Sequence, residues 1–431
     1  MAYQETQTIT YGQRLGNALK GIVGGFIMFV AGTVLLFWNE GNFVKTRKSL
    51  SEAQDATVPV ASVAALDASL EGKLIHASAP ALTDEVLQDP QFGVSEKAIA
   101  LKRRVEFYQW VESSQTQTRD KMGGGQEKIT TYTYRKTWCS SPENSADFHD
   151  PAYQDKNWVW LSLDDQDQYA GSVTFGAYTL PGFFVKSIPG RDPVNVTPPA
   201  GQIDAWTRAI ANHPRAPKPE LAEQDDAQSA EAAEEAAAAP AGDEAPAQWV
   251  HVGDDTVYFG LSPNQPDVGD LRVSFVKVPT QTVSLLGKVK GATFERYTTK
   301  NGKSVSRLEA GEVGPEDMFA HAHGENKMLT WILRIVGMVL VCAGLRGIFG
   351  ILEAIAKVIP MLGSIVGAGV GMVCVVAGLA WSFIWIAIAW VAYRPLVGIP
   401  LLVAAVAGFY WLGVKGCKAA PPAASAAPPA A

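Results

Sequence analysis

From Val358 to Val414 the chain runs for 57 residues with Arg394 as its only charged side chain, and Gly21 to Trp38 adds 18 residues with none. An apolar helix of about 20 residues matches a hydrocarbon core of about 30 Å, so segments of this kind belong in lipid. A wholly soluble protein is excluded. Composition follows from the same fact: charged residues are 18% of the 431, against about 25% in soluble domains.

The apolar segments predict four membrane-spanning α-helices. The first covers 16–38, with Trp38 as an interfacial anchor and no small-x-small cleavage site after it. The second covers 328–349. Only 11 residues separate Arg334 from Arg346, about 17 Å of helix, so these arginines are expected to snorkel toward lipid phosphate. Residues 351–362 place Glu353 and Lys357 four apart on one face, opposite Ile351, Leu352, Ile355, Val358 and Ile359. That pattern predicts an in-plane amphipathic helix ending near Pro360. A third span covers 364–393 and a fourth 396–414, with Arg394 at the turn between them. Residues 415–431 are an Ala/Pro tail, disordered by composition. Arg14, Lys20, Arg346, Lys357, Lys415 and Lys418 on one side narrowly outnumber Lys45, Arg47, Lys48, Lys327 and Arg394 on the other. The six-to-five margin barely favours 1–15 and the C-terminus in the cytoplasm, and the family resemblance given below decides that orientation.

Between the first two spans lies a polar region, 39–213 and 248–327, interrupted at 214–247 by an Ala/Glu/Pro-rich tether. Nine acids against one base fall between Lys218 and Glu244, so the formal net charge of −7 belongs to the tether and the rest of the chain is near neutral. Helical sequence at Thr46–Ala53 and Ile203–His213 frames short strand signals. Lys73–Ala77, Trp158–Leu163, Gly171–Thr179, Thr256–Phe259, Asp270–Val278, Thr282–Val289, Ala292–Thr298 and Ser304–Leu308 carry them. Val105–Thr118 and Lys128–Trp138 flank Gly123-Gly124-Gly125 as a hairpin. The fold class is therefore a membrane protein with four transmembrane α-helices, one in-plane helix and a large extracytoplasmic α+β domain inserted between spans 1 and 2.

Gly363, Gly367 and Gly371 recur every fourth residue, and Gly21 and Gly25 repeat the spacing. Small residues let helices approach closely in lipid, either within one chain or between copies. Lipid-headgroup candidates are Arg334, Arg346, Lys357 and Arg394. His321-x-His323 lacks a third ligand at recognisable spacing, and no catalytic or phosphate-loop motif occurs, so catalytic, cofactor and metal sites are all expected to be none. Three bases at Lys102, Arg103 and Arg104 beside an aromatic strand fit either a headgroup grip or a charged strand edge. No basic block with interleaved aromatics points to nucleic acid.

Asn39-Glu40-Gly41, Asp89-Pro90, Arg103-Arg104 through Tyr108 and Trp110, Gly269-Asp270 with Arg272, and Tyr393-Arg394-Pro395 occur in order along the chain. Through these blocks it resembles the transmembrane protein 43 (LUMA) family. The resemblance implies a four-span protein with one large lumenal domain, found in eukaryotes in the endoplasmic reticulum and inner nuclear membrane. It also implies roles in nuclear envelope organisation, partner scaffolding and membrane lipid balance, with no catalytic residues.

The alanine-rich tether and tail point to a bacterial member, placed in the inner membrane with its domain in the periplasm. The expected function is a non-enzymatic membrane scaffold that organises the membrane and recruits partners, the lipid bilayer and further copies of itself among them. A lipid-handling or pore-like protein is the first alternative, and a membrane-bound enzyme of unrecognised type the second.

Overall fold

The computed structural model describes residues 2–215, 248–396, 398–400 and 403. Most of the tether, nearly all of the expected fourth span and the C-terminal tail lie outside them.

Among the described residues, three helices are long and apolar enough to cross a membrane. These are α1 (Tyr11–Ala56), α3 (Pro315–Ala356) and α4 (Pro360–Tyr393); the shorter α2 (Ala200–Ala211) lies in the domain. Thr10 starts α1 with a capping box, its hydroxyl accepting from the Gln13 N–H at 3.3 Å while its own N–H donates to Gln13 Oε1 at 3.0 Å. α3 begins at Pro315 with Glu316 and Asp317 in its first turn, where acids complement the helix dipole. At 46 residues α1 is about 69 Å long, more than twice a hydrocarbon core. Its excess length enters the domain, where Leu50 and Ala53 pack with Leu74, Leu286, Met318 and Phe319. The expected short helix at Thr46–Ala53 is thus the far end of the first span.

The in-plane helix is not found as a separate element. Residues 351–356 continue α3 without a break, because nothing before Lys357 interrupts the backbone ladder. Pro360, expected to end a helix, instead opens α4, at a position where its missing N–H costs nothing.

Ten strands build the domain's main features: β1 (Ala2–Ile9), β2 (Leu74–Leu82), β3 (Ala100–Asp120), β4 (Gln126–Cys139), β5 (Val250–Val252), β6 (Thr256–Phe259), β7 (Leu271–Val278), β8 (Gln281–Lys290), β9 (Thr293–Glu295) and β10 (Arg307–Ala310). One sheet runs in the order β1-β4-β3-β7-β6-β5. In the other, β8 pairs antiparallel with β2, β9 and β10. Both sheets draw strands from either side of the tether, so the two halves share one domain. Alternation sets the inward faces: Leu271, Val273 and Phe275 of β7 meet Leu101, Val105 and Phe107 of β3 in a core closed by Trp206 and Ile210 of α2. Trp158–Leu163, expected as a strand, is irregular, its backbone held at Trp160, which donates to the Gly269 carbonyl at 3.0 Å.

Past Glu112, whose carboxylate accepts from the His149 N–H at 2.8 Å, β3 leaves the domain as a long hairpin with β4. β1 pairs along β4 from Ala2↔Thr133 to Ile9↔Gln126, so residues expected as a cytoplasmic tail form a strand of the same sheet as the domain. The hairpin tip docks where α1 begins and where α3 turns into α4. There Asp120 bonds Arg14 at 2.8 Å and Lys357 at 3.2 Å, and the Gly123 N–H donates to the Val358 carbonyl. Gly124 has φ +84°, and a side chain there would run into the Tyr11 ring.

Candidate headgroup site at the membrane boundary

Where α1 leaves the membrane it carries Asn39, Glu40 and Gly41, all buried. Asn39 donates to the Thr330 carbonyl at 3.0 Å and Asn326 to the Phe43 carbonyl at 3.2 Å, each tying α1 to α3. Glu40, 1% exposed, accepts from Arg334 Nε at 2.6 Å and from Trp390 Nε1 at 2.9 Å. Both carboxylate oxygens are thereby engaged, and the charge is matched in a place where an unpaired one would be costly. Arg334 also stacks on Trp331. This corrects its expected role: the side chain reaches a glutamate inside the protein rather than a phosphate outside. The Tyr393 ring lies against Gly41, where any Cβ would come within 2.6 Å of it.

Directly above sits a cleft of about 780 Å³, lined by Arg47, Lys48, Glu52 and Asp55 from α1, Lys300 from the loop before β10, and Arg394 from the end of α4. Glu52 is occupied by the Lys300 backbone N–H at 3.0 Å. The Arg394 guanidinium lies 4.6 Å from the Phe43 ring centre, and its Nη2 is buried without a hydrogen-bond partner among the described residues. Nearby, Lys303 donates to Asn42 Oδ1 and Thr46 Oγ1, both uncharged. Burial, and then the charge of Lys45, lower its amine below the usual lysine value. Cations thus exceed acids at this boundary, and one buried guanidinium nitrogen has no hydrogen-bond partner among the described residues.

Of the two other candidates, one is committed inside the protein. Lys357 is held between Asp120 and Glu353, at 3.2 and 2.6 Å. Arg346 stays largely exposed, with a loose 3.8 Å contact to Glu353. The glycines are committed too. A Cβ on Gly25 would lie 2.6 Å from the Gly344 carbonyl, and Gly21 faces Gly347. Gly363, Gly367 and Gly371 receive the side chains of Lys357, Glu353 and Arg346. Both stripes serve packing within one chain.

Comparison with known proteins gives a consistent result. Residues 107–395 match the family described as Transmembrane protein 43. The chain belongs to the transmembrane protein 43 family. It is 26% identical to transmembrane protein 43 of Rattus norvegicus over 95% of this chain and 90% of that one. To the human protein it is 27% identical over 89% and 87%, and to the Drosophila melanogaster homolog 25% over 90% and 92%. No solved structure matches.

The remaining blocks by which the chain resembles the transmembrane protein 43 family hold its domain together. Arg103 bonds Asp89 at 2.8 Å, with both groups largely buried, and Asp89-Pro90 opens the turn that ends at Gly93. Arg104 bonds Asp167 at 2.7 Å. These arginines lie on an interior strand, which removes the edge reading, and both are paired with carboxylates of the domain. Trp110 binds Asn157 through its N–H, and Arg272 bonds Glu106 at 2.6 Å while stacking on Trp138. Asp270, 4% exposed, accepts from Trp160, Tyr258 and the Asp267 N–H. Burial raises its carboxyl above the usual aspartate value, and these hydrogen bonds oppose the shift. Gly269 has φ +101° and leaves room for the Trp158 ring.

Sequence reading missed Arg47, Lys48 and Lys300 as site residues. The run Lys45-x-Arg47-Lys48 was the available signal, but it entered only the count of charges for topology.

Proposed function

We propose that the protein is an integral membrane scaffold that holds anionic phospholipid at the boundary between its spans and its domain, and that it acts by binding and organising rather than by catalysis. The observation that carries this reading is Arg394, half-buried, whose Nη2 has no hydrogen-bond partner among the described residues, beside Arg47, Lys48 and Lys300 at the depth where headgroup phosphates lie. Arginine suits phosphate because its planar fork donates two parallel hydrogen bonds. A binding role is further supported by the buried carboxylates, since Glu40 and Asp270 are engaged by structural donors. The cations at the far end, Arg14, Lys20, Arg346 and Lys357, favour a cytoplasmic position for that end and an extracytoplasmic position for the domain.

The test is native mass spectrometry of protein released from nanodiscs containing phosphatidylglycerol and phosphatidylcholine. Wild type should retain phosphatidylglycerol, and Arg394→Gln combined with Lys48→Gln should lose most of it at unchanged thermal stability. Equal retention by the variant would overturn the assignment of the cleft.

A further inference from the structure

The exposed apolar belt of α1 runs from Leu19 to Trp38, about 29 Å of helix, which is the thickness of a hydrocarbon core. Arg14 lies beyond one end of that belt and Glu40 beyond the other, about 39 Å apart. The hairpin covers most of the belt's depth. Glu112 is held by the domain through the His149 N–H and Asp120 binds Arg14, and the eight intervening steps of extended chain reach about 26 Å. Anything that joins the domain to the far end of the spans must pass membrane depth, so β3 and β4 pass it.

Their sequence is wrong for lipid. Ser113-Ser114-Gln115-Thr116-Gln117-Thr118 is exposed at every position, hence on both faces, and so is Gln4-Glu5-Thr6-Gln7-Thr8 of β1. With the order β1-β4-β3, this part of the sheet also presents two edges that no other described strand pairs with. Open edges do not occur in hydrocarbon, because no water is there to take the hydrogen bonds of unpaired backbone groups. Something must pair with them.

The two edges match each other. Ala2 and Ser113 both pair with Thr133, and Ile9 and Asp120 both pair with Gln126. Over residues 2–9 and 113–120 the two free edges therefore share eight rungs and run in the same direction, since both strands are antiparallel to β4. We propose that a second copy of this chain supplies the missing strand: residues 113–120 of one copy pair in parallel with residues 2–9 of the next. The contact is head-to-tail and consumes one edge of each kind per copy, so a closed ring leaves none open. The polar faces of such a wall meet water, and the apolar helices face the bilayer. The interface is separate from the headgroup cleft and does not depend on it.

The experiment places a photo-crosslinking benzoylphenylalanine at Gln117 in the full chain, in native membranes containing two differently tagged copies. Irradiation should give crosslinks between the tags that map by mass spectrometry to residues 2–9. The same probe at Gly369, which has open space around it, reports chance collision. Native mass spectrometry should find several copies of wild type, and deletion of residues 2–9 should leave single chains. A monomeric wild type overturns the proposal. So do crosslinks from Gln117 that map elsewhere or do not exceed those from Gly369, and so does assembly that survives the deletion. If the truncated chain does not fold, the crosslink map alone decides.

Discussion

α3 makes two seams, one with α1 and one with α4, and glycine at four-residue spacing serves opposite ends in them. Against α1, glycine meets glycine in the stretch between the Glu40–Arg334 pair and the far end: Gly25 faces Gly344 and Gly32 faces Gly337, so backbones touch there. Against α4, glycine makes room for charge, and Glu353 with Lys357 and Arg346 occupies the space beside Gly363, Gly367 and Gly371. The same motif can therefore bring two helices together or admit an ion pair between them. Spacing alone does not distinguish the two; the residues on the facing helix do.

Substitution at Gly25 should break the first seam outright. A Cβ there meets the Gly344 carbonyl at 2.6 Å and the Ile348 nitrogen at 2.7 Å, and backbone cannot move aside as a side chain can. Gly25→Leu is expected to cost about 3 kcal/mol or more, measured as a large fall in thermal midpoint in detergent or as loss of folded protein. In the second seam Gly367→Leu meets the Glu353 carboxyl group, which can swing away. A cost of about 1–3 kcal/mol is expected, and Glu353→Ala should recover much of it. Glu353→Ala should give no such relief to Gly25→Leu, and equal rescue of both would erase the distinction between the seams.

The domain holds a buried charge in a third way, with neutral donors and no cation. Because burial raises the Asp270 carboxyl, the folded state keeps its proton at pH values where the unfolded chain, near 3.8, has lost it. Its contribution to stability is therefore present at low pH and lost as pH rises through the raised value. In thermal melts, the advantage of wild type over Asp270→Asn should shrink as pH increases across that window. The smallest effect belongs to Gly369, on the open face of α4. Gly369→Ala should change the thermal midpoint by the equivalent of no more than about 0.5 kcal/mol.

Much of the domain was legible because its strands bury one face. β7 alternates Leu271, Val273 and Phe275 inward, and the hairpin announced itself through the glycines between its strands. The N-terminal strand was not legible for the converse reason: Gln4 to Thr8 bury neither face, so periodicity had nothing to report. The break between α3 and α4 was misplaced because Pro360 fits the first turn of a helix as well as it ends one. Of the candidate site, Arg394 stood out as a lone charge in an apolar run. Lys300 is distant in sequence, and only the folded chain brings it to Arg47 and Lys48.

α1 passes from the membrane into the domain core as one unbroken helix. From Glu40 to Ala56 it projects about 24 Å past the boundary, so a lean of about 10° at membrane level carries the far end sideways by about 4 Å. There Leu50 and Ala53 are clamped by Leu74 and Leu286, and no hinge along α1 absorbs the movement. Bilayer thickness, which governs how steeply a long span stands, is thereby converted into the attitude of the domain over the membrane surface.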